Sequence, residues 1–122
     1  MKLAWYKTTI NKLSVIPEKP GVYILSTELT NGEYGVIYVG QSKNLNKRIS
    51  QHFDESETNL ELRKHLKKNY THKISYAECD NKYLDPIEKY LIEYFNPIFN
   101  LNTGNGDEIL KVSLPNVVKY VK

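Results

Sequence analysis

Two runs of β-branched and aromatic residues near the start of the chain predict neighbouring strands. The first is GVYILS at residues 21–26 and the second is GVIYV at residues 35–39. Both consist largely of residue types that strands favour. A third run of this kind, HKISYAEC, follows at residues 72–79. We therefore expect three strands, of which the first two form a hairpin.

The dipeptide Asn31-Gly32 lies between the first two strands and is a strong hairpin signal, because both residues accept a positive φ. A two-residue loop at this dipeptide places Tyr23 opposite Gly40. Since side chains alternate between the two faces of a strand, Tyr23 and Tyr38 then lie on one face as diagonal neighbours, with backbones about 7–8 Å apart. This register predicts that the two tyrosine rings lie close together.

Helical periodicity begins after the hairpin. A helix is expected over about 44–53, where an apolar stripe at four-residue spacing is formed by Leu45, Ile49 and Phe53. A second helix is expected over about 58–69, because Thr58 and Glu61 have the spacing of a capping box.

The last clear helix is expected to begin at Asp85-Pro86, where Asp85 suits the N-cap and Pro86 suits the first helical position. It should end before Asn96-Pro97, since proline disfavours helix at the residue that precedes it. The elements then follow in the order β-β-α-α-β-α. This order predicts a small α+β domain around an antiparallel sheet.

Composition indicates a globular chain and gives little information about its partner. The 122 residues fit one domain, and the net charge of +3 is compatible with a polyanion but too small to establish one. The one cysteine, Cys79, excludes an internal disulfide framework and suits a reducing compartment. No apolar run reaches membrane-spanning length and the N-terminus lacks a signal-peptide core. We expect a soluble cytoplasmic protein, with no membrane partner and no small-molecule cofactor.

The first helix carries two polar residues at the border of its apolar stripe. At about 100° per residue, His52 falls beside Leu45, Arg48 falls just outside the stripe, and Lys47 points towards water. A guanidinium at that border is strongly hydrated unless it binds an anion. The alternative is an arginine that extends over the core to reach water, next to a hydrogen-bonded histidine.

The last helix carries an acid, Glu88, inside its apolar arc, between the directions of Ile92 and Phe95. A carboxylate that points inwards needs a cation or several hydrogen-bond donors, which suggests a metal ligand or a catalytic group. The alternative is that Glu88 completes the cap begun by Asp85 and reaches back to a backbone amide. The sequence leaves both interpretations open.

Basic residues around the first two helices are suited to phosphate contacts, although such faces are more often simply solvated. We assign them as candidate nucleic-acid-binding residues: Lys43, Lys47, Arg63, Lys64, Lys67 and Lys68.

These features occur together in an order that resembles the signature of the GIY-YIG nuclease superfamily. The matching positions are Gly21-Val22-Tyr23, Tyr38-Val39-Gly40, Arg48, His52, Glu88 and Asn100. Each triplet departs from the family name by one change of isoleucine to valine. The resemblance covers about residues 13–103, so we expect a lead-in at 1–12, a nuclease domain at 13–103 and a C-terminal tail at 104–122.

The resemblance implies a three-stranded antiparallel sheet flanked by helices. It also implies a DNA endonuclease that hydrolyses phosphodiester bonds with one divalent cation, Mg²⁺ or Mn²⁺, and with water as the nucleophile.

The same resemblance implies roles for individual residues. The residue at the position of Glu88 binds the metal, and the residue at the position of Arg48 contacts the scissile phosphate. The catalytic set is completed by Tyr23, Tyr38 and His52, which position or deprotonate the attacking water, and by Asn100, which helps to hold the site together. Arg48 and His52 are then expected to face a phosphate at the sheet surface.

Two alternatives compete with a nuclease. A non-catalytic nucleic-acid-binding module would be favoured by the loss of Glu88 or Arg48, and both are present. A purely structural domain, with the tyrosines in the core and Glu88 as a cap, leaves six matched positions unexplained. Outside the resemblance, the chain offers no evident element for reading base edges, so we expect loose sequence preference.

Overall fold

A five-stranded sheet forms the centre of the protein in the computed structural model, which describes residues 1–120. Its strands are β1 (Tyr6–Thr8), β2 (Gly21–Glu28), β3 (Tyr34–Ser42), β4 (His72–Glu78) and β5 (Val118–Lys119). The helices are α1 (Leu45–His52), α2 (Leu60–Leu66) and α3 (Leu84–Phe95), with 3₁₀ segments at Ile10–Val15 and Asn81–Tyr83. The strand order is β1-β4-β2-β3-β5, and every pair is antiparallel except β3 with β5.

The expected three-stranded antiparallel sheet is the middle of this larger one. Strand β2 lies between β3 and β4, and the α+β class is confirmed. The sheet nevertheless has five strands, not three, because a short strand is added at each edge. Strands of three and two residues are too short to show the alternating pattern on which a sequence-based prediction depends.

The two added strands come from the ends of the chain, which also contact each other. The Trp5 indole N–H donates to the Ser113 carbonyl over 2.7 Å, and the Leu3 amide donates to the Ser113 hydroxyl over 2.9 Å. The expected tail, 104–122, thus supplies an edge strand, although its residues 121 and 122 lie outside the described residues.

The register at the tyrosines is as predicted, with Tyr23 opposite Gly40, but the loop that was expected to set it is different. The Leu29 amide donates to the Glu33 carbonyl over 2.7 Å, so the loop has three residues. Only the glycine of the predicted turn, Gly32, has a positive φ, at 84°.

A β-bulge in β3 compensates for the longer loop. Leu25 pairs with Tyr38, whereas the next residue, Ser26, pairs with Val36, so Ile37 is an extra residue in β3. The three-residue loop and the bulge shift the register by one residue in opposite directions. The two shifts cancel where β3 reaches the tyrosine pair.

Each face of the sheet carries its own core. Helices α1 and α2 cover the face of the first core, which contains Tyr23, Leu25, Ile37, Leu45, Ile49, Leu62 and Ile74. Helix α3 covers the face of the second core, which contains Val22, Ile24, Val36, Val39, Ile87, Leu91 and Phe95. Because both faces are covered, residues 21–27 of β2 are all buried. This explains why β2 is a continuous apolar run and not an alternating one.

The predicted bounds of α1 agree with the structure, whereas the predicted starts of α2 and α3 need correction. Helix α1 begins after Asn44, whose side chain accepts the Lys47 amide. Helix α2 is shorter than 58–69, and its N-cap is Asn59, not Thr58. Contacts outside the helix fix Asn59, because its side-chain amide donates to the Phe99 carbonyl over 2.7 Å.

Helix α3 ends at Phe95 as predicted, and Asn96 takes the left-handed conformation, with a φ of 46°, before the proline. Its predicted start is wrong, because Asp85 lies inside the helix and Tyr83 occupies the N-cap position. The 3₁₀ segment Asn81–Tyr83 leads directly into α3, so the helix begins before the Asp-Pro signal. None of the helices within residues 1–120 is long and apolar enough to span a bilayer.

Candidate active site

Four of the predicted catalytic residues form one cluster between the sheet and α1. The rings of Tyr23 and Tyr38 lie on the same face with centroids 6.3 Å apart, which confirms the predicted arrangement. The His52 ring packs against both, with centroids 5.4 Å from Tyr23 and 4.9 Å from Tyr38. Arg48, one turn earlier on α1, is half-buried beside Tyr38 and influences the pKa of both tyrosines.

A glycine makes room for the inner tyrosine. Gly40 lies opposite Tyr23 in the sheet, and a Cβ at this position would come within 2.3 Å of the Tyr23 Cζ and Oη atoms. The end of the Tyr23 ring therefore occupies the space that any other side chain would need. The glycine of the second triplet thus allows the tyrosine of the first triplet to reach α1.

The cluster has an inner and an outer layer. Tyr23 is 1% exposed and His52 is 1% exposed, whereas Tyr38 and Arg48 are only partly buried. The Tyr23 hydroxyl lies 2.6 Å from His52 Nε2, and His52 Nδ1 contacts the carboxylate of Glu57. The expectation that His52 faces a phosphate at the surface is therefore wrong. The loop after α1 brings Glu57 beneath the helix, so both ring nitrogens of His52 contact groups inside the protein.

Burial dominates the electrostatics of the two tyrosines. It raises the pKa of Tyr23 well above its usual value, and the Tyr38 hydroxyl adds to the effect. Burial also raises the pKa of Tyr38, although Arg48 acts in the opposite direction. Both phenols are thus protonated at neutral pH. The arginine alone does not turn either tyrosine into a strong base.

The pKa values of His52 and Arg48 shift in opposite directions. Burial, assisted by the positive charge of Arg48, lowers the pKa of His52 to about 4, against the opposing effect of Glu57. His52 is therefore neutral at pH 7. For Arg48, burial alone would lower the pKa, but Tyr23, Tyr38 and Glu57 together raise it, so the guanidinium keeps its charge.

Glu88 approaches this site from α3 and contacts the end of β3. The Gln41 amide donates to Glu88 Oε1 over 3.4 Å and also to the Asp85 carboxylate. Burial raises the pKa of Glu88, and Asp85 adds to the rise. The Glu88 carboxylate also raises the pKa values of Tyr23 and Tyr38, so it lies near enough to act on both. Its partner is a side chain of β3 and not a backbone amide at the helix start, which does not support the capping interpretation.

Asn100 is placed against the backbone of β3. Its side-chain oxygen accepts the Val39 amide over 2.9 Å, and its nitrogen donates to the Val39 carbonyl over 2.8 Å. The amide thus pairs with the strand edge as a neighbouring strand would. This contact fixes β3 next to Tyr38.

The predicted nucleic-acid-binding residues fall into two groups. Lys43 is exposed in the turn just before α1, and Lys47 is exposed on the same helix as Arg48. On α2, Arg63 and Lys67 both pair with Glu55. Lys64 lies 4.0 Å from Glu61, and Lys68 is exposed just after the helix. The positive charge of the α2 face is thus partly balanced by acids.

Two residues at the site were missed by the sequence analysis. Glu57 lies in the polar segment DESETN and Gln41 lies at the end of β3. Neither stands at a helical or strand spacing from the motif residues that would single it out. Only the tertiary structure shows that Glu57 contacts His52 and that Gln41 contacts Glu88.

Residues 19–102 match the model of a known protein family. That model is described as the GIY-YIG catalytic domain. This chain belongs to the GIY-YIG family. All six predicted catalytic positions of this GIY-YIG domain lie within the matched segment, and β1 and β5 lie outside it.

Curated relatives of the GIY-YIG chain include several proteins named UvrABC system protein C. The protein from Clostridium perfringens is 36% identical over 92 residues, which is 75% of this chain and 14% of the relative. The protein from Lactobacillus delbrueckii subsp. bulgaricus is 33% identical over 105 residues, or 84% of this chain and 16% of the relative. The chain thus spans about a sixth or less of the length of these relatives.

Solved structures show the same fold at low sequence identity. One is the GIY-YIG N-terminal endonuclease domain of UvrC from Thermotoga maritima, in an asparagine-to-alanine variant bound to its catalytic divalent cation. It has a TM-score of 0.56 and 20% identity, and the match covers 75% of this chain and 93% of that one. A tyrosine-to-phenylalanine variant of the same domain, also bound to the catalytic divalent cation, gives a TM-score of 0.54. The GIY-YIG fold predicted from the motif residues is confirmed, as is the assignment to the GIY-YIG family.

Proposed function

We propose that this protein is a divalent-metal-dependent DNA endonuclease that hydrolyses phosphodiester bonds with water as the nucleophile. The observation that carries the proposal is the cluster of Tyr23, Tyr38, Arg48 and His52, assembled on a domain of the GIY-YIG family with Glu88 close by. The UvrC structures hold a catalytic divalent cation, which supports the same requirement here.

The residues around Glu88 fit a divalent cation. The Glu88 carboxylate is half-buried, its contact with protein is a neutral amide, and Asp85 adds a second negative charge nearby. Within residues 1–120, no group of three or more His, Cys, Asp or Glu side chains could hold an ion by itself. Glu88 would therefore bind Mg²⁺ or Mn²⁺ together with waters and phosphate oxygens, as is usual for Mg²⁺. The bound cation would polarise the phosphoryl oxygen and stabilise the leaving oxygen.

The outer layer of the cluster would contact the substrate. Arg48 keeps its charge and is partly exposed, so its guanidinium can neutralise the charge that develops on the phosphoryl oxygens. Tyr38 lies beside it and can orient the attacking water. Tyr23 and His52 lie behind and hold this layer in place through the hydroxyl–imidazole contact. Lys43 and Lys47 would contact the flanking phosphates.

Supercoiled plasmid provides the direct test. We expect nicking with Mg²⁺ or Mn²⁺ and none with EDTA. Glu88→Gln should lower the cleavage rate at least about a hundredfold, because the metal contributes several kcal/mol of transition-state stabilisation. DNA binding, measured by fluorescence anisotropy, should be nearly unchanged.

Glu93→Gln is the matched control for this experiment. Glu93 lies on the exposed side of the same helix, and its substitution should leave cleavage unchanged. Full activity of Glu88→Gln, or activity of the wild-type protein in EDTA, would contradict the metal assignment. DNA binding without cleavage under any metal would instead support the non-catalytic binding module.

A further inference from the structure

Glu57 is a fully buried carboxylate in the loop between α1 and α2, and none of the roles described so far requires it. Its side chain has no exposed surface. Buried carboxylates are rare in proteins, because removal from water is costly unless hydrogen bonds and a positive charge compensate. Exposed acids flank it in the same loop, including Glu55, so burial is specific to this position.

The two carboxylate oxygens of Glu57 have different partners. Oε1 accepts the Asn59 amide over 2.8 Å and so helps to set the start of α2. Oε2 contacts His52 Nδ1 and lies 3.7 Å from Nη1 of Arg48. Oε1 thus supports the start of α2, and Oε2 faces Arg48 and His52, the two α1 residues of the nuclease cluster.

This arrangement determines where the proton of His52 resides. Two lone pairs repel each other at contact distance, so the hydrogen of the neutral His52 ring belongs on Nδ1, the nitrogen that faces the Glu57 carboxylate. Nε2 of the neutral ring is then an acceptor, and the Tyr23 hydroxyl at 2.6 Å donates to it. Without the carboxylate, the ring could adopt the other tautomer, which would present an N–H to the tyrosine hydroxyl.

We propose that Glu57 is a positioning residue of the nuclease site: its buried carboxylate holds His52 with Nε2 open to the Tyr23 proton and anchors the guanidinium of Arg48 beside Tyr38. The proposal rests on the nuclease function proposed above. The charged and titratable groups that act on His52 are Arg48 and Glu57, and Glu57 in turn contributes to the raised pKa values of Tyr23, Tyr38 and Arg48.

A charge-removing variant separates this role from simple structural support. Glu57→Gln keeps the shape of the side chain and an oxygen for the Asn59 amide, but it removes the negative charge from His52 and Arg48. We expect the cleavage rate at saturating DNA to fall about 10–100-fold, as is typical for residues that orient a catalytic group. DNA affinity and the unfolding midpoint should change little.

Glu55→Gln is the matched control, since Glu55 lies in the same loop and pairs at the surface with Arg63 and Lys67. Its cleavage rate at saturating DNA should equal that of the wild type. A Glu57→Gln protein with the wild-type rate, or an equal loss in both variants, would overturn the proposal.

Nitrogen NMR of the imidazole rings tests the geometry without any cleavage assay. In the wild-type protein the His52 ring should be neutral at pH 7 with the hydrogen on Nδ1, and its signals can be assigned by comparison with His52→Gln. In Glu57→Gln this tautomer preference should weaken. A hydrogen on Nε2 in the wild-type protein would refute the proposal even if Glu57→Gln fails to fold. If the wild-type protein cuts no DNA, the proposed function fails. The NMR signals of the His52 ring then still show whether its hydrogen lies on Nδ1, next to Glu57.

Discussion

The side chains of the cluster and its neighbour Glu57 form a buried inner layer and a partly exposed outer layer. Tyr23, His52 and Glu57 form a continuous buried row, and Tyr38 and Arg48 lie in front of it. Because the pKa of both tyrosines is raised by burial, neither is ionised before substrate arrives. The one permanent positive charge of the cluster is therefore Arg48.

Arg48 should contribute to catalysis rather than to overall affinity. We expect Arg48→Ala to lower the cleavage rate by about 10²–10³-fold, which is typical for the loss of a group that stabilises transition-state charge. Single-turnover cleavage together with DNA binding in Ca²⁺ would separate the rate from the affinity. Lys47→Ala, at the exposed neighbouring position, should weaken binding slightly and leave the single-turnover rate intact. The same phenotype in both variants would reduce Arg48 to a DNA-binding residue.

The secondary-structure elements place this cluster through their contacts with one another. Helix α1 supplies Arg48 and His52, and the β2–β3 hairpin supplies both tyrosines. Glu88 lies outside the cluster, on α3 at the other face of the sheet, and contacts Gln41 at the end of β3. The hairpin has two irregularities, a three-residue loop and a bulge at Ile37, that offset each other. Its register is thus set by packing on both faces as much as by the turn.

Two glycines of the hairpin provide a matched test of this placement. Gly40→Ala would put a Cβ against the Tyr23 ring and displace the hydroxyl that meets His52, at a cost of about 1–3 kcal/mol. Gly32→Ala meets no atom within 4 Å but must keep a φ of 84°, which costs about 1–2 kcal/mol.

Urea unfolding and plasmid cleavage, measured on both glycine variants, should separate stability from function. The two proteins should lose stability to a similar extent, and only Gly40→Ala should lose cleavage beyond what its unfolded fraction explains. Normal cleavage by folded Gly40→Ala would show that the position of the Tyr23 hydroxyl does not matter.

At the level of the whole molecule, the positive charges suit phosphates and not base edges. Lys43 and Lys47 are exposed near the cluster, and the α2 basic residues are partly neutralised by Glu55 and Glu61. Phosphate contacts fix orientation and carry no sequence information. The affinity of this chain for DNA should consequently be modest and depend strongly on salt.

Digestion of several unrelated plasmids at two salt concentrations tests this expectation. We expect cleavage with loose sequence preference. Binding should weaken with increasing salt, with a slope of about −0.9 per phosphate contact in a plot of log affinity against log salt concentration. Discrete fragments at one sequence would contradict the expectation and would indicate a recognition segment among residues 101–120.

The sequence by itself determined the central hairpin, the three helices, the third strand and the six motif positions. These depend on local spacing, that is, on strand-forming runs, four-residue periodicity and the proline after α3. The order of the motif residues then identified the family, and the match over residues 19–102 agrees with it.

Only the tertiary structure decided what depends on contacts between distant residues. The edge strands have only two and three residues, which is too short for an alternating apolar pattern in the sequence. The start of α2 is set by Asn59, whose side-chain amide donates to the Phe99 carbonyl. The burial of His52 depends on Glu57, which comes from a loop that resembles a polar linker in the sequence. Periodicity predicts which side of a helix a residue occupies. It cannot predict that the Glu57 carboxylate contacts His52, because that contact depends on how the loop between α1 and α2 folds back against the helix.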